Sequence, residues 1–566
     1  MRARPFRNRI AAICAATVLA APLMAAPLPA AAAEATAAEA TAAGLTVTYV
    51  ESARWNTGYT GEIVVHNASD APVDDWRIEF SLPEGSRIHE LWNATLAGDP
   101  SGYTVTPPRW GATVPAGGTY TFGFNGVHRD GATEPLACTV NGASCSGGGT
   151  GPGHDHISVA YYTQWGAAER DYHVADLVET GSAEKLTHIQ YAFGNVGADG
   201  ECFMTDEEGQ GDALADYGHT VPAGESVDGV ADGAGQELRG NFNQLRKLKE
   251  LYPDLTVSIS LGGWEWSRYF SDAALTEESR ERLVESCVDL YLRGDLPELN
   301  GAGGEGAAQG VFDGIDLDWE WPGTDGNPHN VVRPEDRENF TALVQEFRDQ
   351  LDAYGDETDR HYELTAFMPA GGWRLDTGYE LDEVMPNFDF ITVQGYDYHG
   401  TWESVTNHQS NLVTDARDPE PVISAELIRD AYVSRGVDPA KLVLGIPFYG
   451  QGWTGVEPGP EGDGLFQAAA GPAQGTYSTG TEEWRFLKEK VASGEFQVFR
   501  NDEAGTAWIY DGETLWNYDD EAAVAQKTTW ALDNGYSGIM IWSIDGDDAD
   551  GSLMGSIDRA LRADRP

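Results

Sequence analysis

Lysine is scarce in this chain, seven among 566 residues, against 91 aspartates and glutamates and a net charge of −55. A surface so acidic argues against nucleic acid or an anionic membrane as a partner, since both are polyanions. Beyond residue 33 no apolar run is long enough to cross a bilayer. None of the cysteine spacings looks like a zinc site and metal-ligand clusters are lacking, so neither metal nor cofactor is expected. Cysteine is sparse too: Cys14 lies in an apolar leader, which leaves Cys138, Cys145, Cys202 and Cys287. An even number in an exported chain favours two disulfides. Proximity along the chain suggests Cys138–Cys145 and Cys202–Cys287, the other connectivities staying formally open.

The texture of the chain divides it. Arg2, Arg4, Arg7 and Arg9, the apolar run from Ile10 and the small residues Ala30 to Ala33 read as a secretory signal over 1–33. A secreted, extracellular and soluble mature protein is expected, as a monomer. Residues 34–44, rich in Ala, Glu and Thr, read as a flexible segment. Residues 45–145 carry short alternating runs, such as Gly61–Val65, Trp76–Leu82 and Thr119–Phe124, punctuated by Gly, Pro, Asn and Asp; this predicts a β-sandwich. A Gly-rich linker fills 146–155.

From 156 to 566 strands alternate with helices, the α/β pattern of a parallel sheet. Eight strands are expected, at Ile157–Tyr162, His188–Phe193, Thr256–Leu261, Gly314–Trp319, Glu363–Met368, Phe390–Gly395, Leu442–Pro447 and Gly538–Trp542. Eight strands fit a TIM (β/α)8 barrel, whose working residues sit at the C-terminal strand ends. The stretch 450–520, between strands seven and eight, is too long for one βα unit and reads as an inserted α+β subdomain with a helix near Glu482–Ala492.

Residues 313–320 read Asp-Gly-Ile-Asp-Leu-Asp-Trp-Glu. Side chains alternate along a strand, so Asp316, Asp318 and Glu320 share one face while Ile315, Leu317 and Trp319 take the other. The apolar face calls for a helix layer, which turns the acidic face into a crowded interior. Like charges there cannot all ionise, and a proton must be shared. Buried carboxylates without partners are costly and mark chemistry. Asp313, on the other parity, is expected to be structural.

That octapeptide, with Ser260-Leu261-Gly262-Gly263 upstream, resembles the two signatures of glycoside hydrolase family 18, the chitinases. The resemblance implies a retaining, substrate-assisted hydrolysis of β-1,4-linked N-acetylglucosamine, in which the substrate's own acetamido oxygen attacks C1 and forms an oxazolinium. Glu320 would protonate the leaving oxygen and then activate water. Asp318 would hold the acetamido N–H, and Asp316 would share a proton with Asp318. Gln394-Gly395-Tyr396-Asp397-Tyr398 resembles a further motif of the family, with Tyr396 orienting the acetamido carbonyl and Asp397 contacting sugar. Trp542 would floor the site. Trp264 and Trp402 would serve the leaving-group side, with Tyr161, Trp165 and Phe193 on the other. Gln394, Tyr449 and Met368 join the expected sugar contacts. The insertion resembles that of group A enzymes, which commonly carry arginine where this chain has Gln451.

Residues 45–145 resemble carbohydrate-binding module family 2 through Trp55-Asn56-Thr57-Gly58-Tyr59, Trp76, Trp92-Asn93-Ala94, Trp110 and Phe122-Gly123-Phe124-Asn125-Gly126. The resemblance makes Trp55, Trp92 and Trp110 an exposed row for insoluble polysaccharide and Trp76 a core residue. Chitin and chito-oligosaccharides are the expected partners, with cellulose open for the module. Two alternatives stand beside this reading. An endo-β-N-acetylglucosaminidase on glycoproteins would use the same chemistry, and a non-catalytic chitin lectin would typically lack the glutamate that this chain has at 320.

Overall fold

The structure is a computed structural model that describes residues 156–563 apart from 420, and residues 45–144 apart from 56–57, 68–71, 74–75, 83–85, 101, 109–112, 116–117, 128–135 and 142. The expected leader, flexible segment and linker lie outside the described residues.

The N-terminal module is two antiparallel sheets around one core. Strands Leu45–Trp55, Gly58–Asn67, Thr119–Val127 and Arg87–Trp92 form one sheet in that spatial order. Thr95–Asp99, Gly102–Thr106, Ile78–Ser81, Leu136–Val140 and Ala143–Ser144 form the other. Tyr59, Ile63 and Val65 alternate inward from one sheet and meet Ile78, Val105 and Val140 of the other. Trp76 is fully buried and stacks on Phe122 at 5.8 Å, as expected of a core residue.

The larger body is a closed parallel barrel of eight strands: β1 (Ile157–Thr163), β2 (His188–Val196), β3 (Thr256–Gly262), β4 (Gly314–Asp318), β5 (Glu363–Met368), β6 (Phe390–Val393), β7 (Leu442–Pro447) and β8 (Gly538–Trp542). Each pairs with its neighbours in chain order, and β1 pairs with both β2 and β8, which closes the ring. All eight lie where the sequence pattern puts them, within three residues at each end. On β4 the alternation holds. Trp319, just past the strand, packs outward on Phe270 and on Phe340 of the helix Asp336–Thr358, at 5.5 and 6.0 Å between centroids. Asp316 and Asp318 point inward and are buried.

Between β7 and β8 the chain builds a mainly antiparallel sheet, from Tyr449–Thr454 to Leu515–Tyr518, with a helix at Trp484–Ser493. The insertion has its own small core of Trp453, Val456, Leu465, Trp508, Tyr510 and Leu515. Cys202 and Cys287 form a disulfide. Cys145 lies outside the described residues, so the Cys138–Cys145 pairing does too.

Candidate active site

The site grows from the C-terminal end of β4. Asp316 is fully buried, and hydroxyls take up its carboxylate: Thr365 Oγ1 donates to Oδ1 at 2.7 Å, and Ser260 Oγ and Tyr161 OH donate to Oδ2 at 2.7 and 2.9 Å. Burial still holds its pKa above the ordinary carboxylate value, with the three hydroxyls opposing. Asp318, two residues on, has a buried Oδ1 with no hydrogen-bond partner in the protein. Burial, then the charges of Glu320 and Asp316, push its pKa well up.

Glu320 is fixed by its backbone rather than its carboxyl. Its N–H donates to Ser267 Oγ at 2.9 Å, and its carbonyl accepts from Asn330 Nδ2 at 2.6 Å. Burial and the charge of Asp397 push the Glu320 carboxyl up to about 8, with Arg374 opposing. Both effects favour its protonated form. No hydrogen bond joins Asp316 to Asp318, the pair expected to share a proton; three hydroxyls donate to Asp316 instead. Asp313 is at the other end of the strand, accepting from Val257 N and paired with Lys249 and Arg360, which is a structural role.

Gly262, the last residue of β3, and Gly263 let the chain turn beside these groups. Gly262 has φ +109°, and a Cβ there would meet the Asp318 carbonyl oxygen at 2.4 Å; one on Gly263 would meet the Phe193 ring at 2.7 Å. Past β6, Tyr396 is buried with its ring stacked on Phe367 at 6.2 Å. Asp397 Oδ1 accepts from Tyr449 OH at 2.7 Å and from Gln451 Nε2 at 2.8 Å, both neutral donors. Trp542 ends β8 and packs against Phe193 at 5.7 Å and Tyr161 at 5.1 Å. A cavity of about 220 Å³ opens here, lined by Trp165, Asp397 and Trp542 from the barrel side and by Tyr449, Gln451, Tyr477 and Glu483 from the insertion.

Several expected contacts stand elsewhere. Met368 is a correction: it is fully buried with Leu364 and Ala366 on the outer parity of β5, while Thr365 and Phe367 take the inner one. Tyr161 is 1% exposed and supports Asp316 through its hydroxyl, so it offers no ring face to a ligand. Gln394 Oε1 accepts from the backbone N–H of Ala370 at 3.4 Å. Trp165 packs on Phe193 at 6.4 Å, whereas Trp264 and Trp402 stand exposed at 47% and 64%. In the module Trp92 is exposed; Trp110 and the Trp55 side chain lie outside the described residues.

Sequence reasoning missed Arg374, whose guanidinium lies over Trp321 and Trp373 at 5.5 and 4.8 Å and bears on Glu320. Its place just after β5 was a usable signal, the same one that drew attention to Glu320. It also missed Arg170, which ties the loop after β1 to Glu483 of the insertion and to Asp545 beyond β8. That tie joins residues hundreds of positions apart and leaves no local pattern. Among the described residues no group of three or more His, Cys, Asp or Glu is placed to hold a metal ion, and no helix is long and apolar enough to cross a membrane.

Residues 157–547 match the family model for Glycosyl hydrolases family 18, and residues 45–145 match that for Cellulose binding domain. Chitinase C of Streptomyces lividans is 30% identical over 610 aligned positions, covering 89% of this chain and 91% of its own. The solved catalytic domain of psychrophilic chitinase B from Arthrobacter TAD20 aligns at 43% identity with TM-score 0.69, over 72% of this chain and 96% of that one. A family 18 N-acetylglucosaminidase from Paenibacillus barengoltzii aligns at 27% identity with TM-score 0.56, over 72% and 99%.

Proposed function

The chain belongs to glycosyl hydrolases family 18, and on that premise we propose that it is a chitinase, cleaving β-1,4 bonds between N-acetylglucosamine units with retention at C1. The carrying observation is that Asp316, Asp318 and Glu320 lie on one face of one strand end, with Glu320 outermost and its carboxyl pKa raised by burial and the charge of Asp397. Two carboxylates approaching a sugar from one side cannot serve as acid and opposite-face nucleophile together. The acetamido group of the sugar before the scissile bond supplies the nucleophile instead. Its carbonyl oxygen attacks C1 as Glu320 Oε–H protonates the departing oxygen. The now ionised Glu320 takes a proton from water, which opens the oxazolinium and restores the starting state.

Asp318, with a carboxyl oxygen free of protein donors, accepts from the acetamido N–H and stabilises the positive charge that develops there. Asp316 stays beneath it. The Tyr396 hydroxyl orients the acetamido carbonyl, an alignment effect that counts heavily when the nucleophile is part of the substrate. Trp542 supports the pyranose ring. The module of residues 45–145 retains the enzyme on insoluble polysaccharide, and residues 1–33 direct its export. The lectin reading is disfavoured because a chain used only for binding has no need of a carboxyl whose protonated form is favoured.

Glu320→Gln tests the reading. An amide cannot act as a general acid, so kcat on chitohexaose is expected to fall by about 10²–10⁴-fold or more with the melting transition kept. A variant holding more than a tenth of wild-type kcat would rule Glu320 out as the acid. Fully deacetylated chitosan, which lacks the nucleophile, is expected to survive intact; cleavage beside a glucosamine in the attacking position would sink the substrate-assisted route.

A further inference from the structure

We propose that Trp373, on the segment after β5, is a sugar-stacking residue on the open, leaving-group side of the cleft, where it joins Trp264 and Trp402 in an aromatic arc around Glu320. The proposal rests on the chitinase reading and adds a residue to its binding surface. Trp264 follows β3, Glu320 follows β4, Trp373 follows β5 and Trp402 lies beyond β6, so four successive strands present them along one arc of the barrel mouth. The three indoles are 47%, 57% and 64% exposed. None of them lines the cavity that holds Trp165, Tyr477 and Trp542, so the arc is a surface apart from it.

Trp373 is not a loose surface residue. A Cβ on Gly371 would meet its Nε1 at 3.1 Å, so the ring edge rests on that glycine. The Arg374 guanidinium stands over the ring at 4.8 Å and over Trp321, next to Glu320, at 5.5 Å. The indole is thus fixed in place relative to the acid while more than half of it meets solvent. A fixed, exposed aromatic face suits the apolar C–H face of a pyranose and nothing in the core. The ligand class is a neutral β-linked amino-sugar chain.

Two substrates separate the roles: chitohexaose, which places sugars on the leaving-group side, and an aryl chitobioside, which places only a phenol there. The ratio of their kcat/KM values is expected to fall about tenfold in Trp373→Ala, a change of about 1.4 kcal/mol, chiefly through KM, and to recover in Trp373→Phe. A ratio that stays at the wild-type value, whether both rates hold or both fall together, would overturn the proposal, because Trp373 would then only support Arg374 and Glu320. A wild-type protein that cleaves neither substrate would overturn the chitinase reading itself, and the proposal with it.

Discussion

The Ser260 hydroxyl donates to Asp316 Oδ2 at 2.7 Å, across 56 residues of chain and between neighbouring strands β3 and β4. This bond joins the two short motifs that stand out in the sequence, and it explains why each needs the other. Asp316 is fully buried, and a buried carboxylate is tolerated only with donors around it. Ser260 is one of its three.

Ser260→Ala is accordingly expected to lower unfolding free energy by about 1.5–3 kcal/mol, the scale of a lost hydrogen bond to a charged group, and to lower kcat more than it raises KM. Asp316→Asn changes the acceptor that Ser260 serves. The double variant should therefore lose less than the sum of the singles, by about 0.5 kcal/mol or more for groups in contact. Additive losses in a denaturant titration would show that the two do not act as a unit.

On the proposed mechanism, the pH dependence turns on Glu320. The groups facing it are Asp318 on β4, Asp397 and Tyr396 after β6, and Arg374 and Tyr379 after β5. Asp397 raises the Glu320 pKa and meets only neutral donors, Tyr449 and Gln451. A general acid works while protonated, so activity is lost as pH rises through its pKa. Gln451→Arg would place a cation beside Asp397, offset its negative charge at Glu320 and favour ionisation. The alkaline limb of the kcat profile should then move to lower pH. Arg374→Gln removes a cation and should move it higher; each shift is expected on the order of one unit. Shifts in the same direction would mean that charge at these positions does not set the limb.

Strand placement was legible because period-2 alternation and the helix layer make one demand of residues such as Ile315 and Leu317. The acidic face of β4 was legible for the same reason. The hydroxyl cradle of Asp316 was not, since Ser260, Thr365 and Tyr161 come from three other strands. Met368 was misplaced although the parity of β5 was available: Thr365 faces Asp316, so residue 368 must face out. Arg170 was invisible because a cation held across loops follows no sequence period, whereas Arg374 was signalled only by its place just after β5.

In the module, Trp92 lies over Gly123, where a Cβ would meet its Cζ2 at 2.4 Å. The indole is propped flat by a missing side chain and is 37% exposed. Trp92→Ala is expected to reduce the fraction retained on solid chitin and the rate on it, while kcat on soluble chitohexaose holds, because tethering raises local concentration without touching the site. A collapse of the module's melting transition would show instead that Trp92 is a core residue.

The charge of −55 makes a last prediction. Each of the seven lysines is already held against a carboxylate or a backbone carbonyl: Lys185, Lys247, Lys249, Lys488, Lys490 and Lys527 beside acidic partners, and Lys441 on the carbonyls of Phe388 and Asp389. No lysine remains to offset the surplus acidic groups, whose mutual repulsion is greater in the compact state than in the expanded chain. Salt shortens its reach, from about 10 Å at 0.1 M to about 3 Å at 1 M. Tm is therefore expected to rise between those concentrations of NaCl, by about 1 °C for each kcal/mol of repulsion screened in a body of this size, and chloride should serve about as well as sulfate at equal ionic strength. A Tm that is flat in NaCl but climbs in sulfate would assign the effect to exclusion of the salt from apolar surface, and the acidity would then contribute nothing to stability in brine.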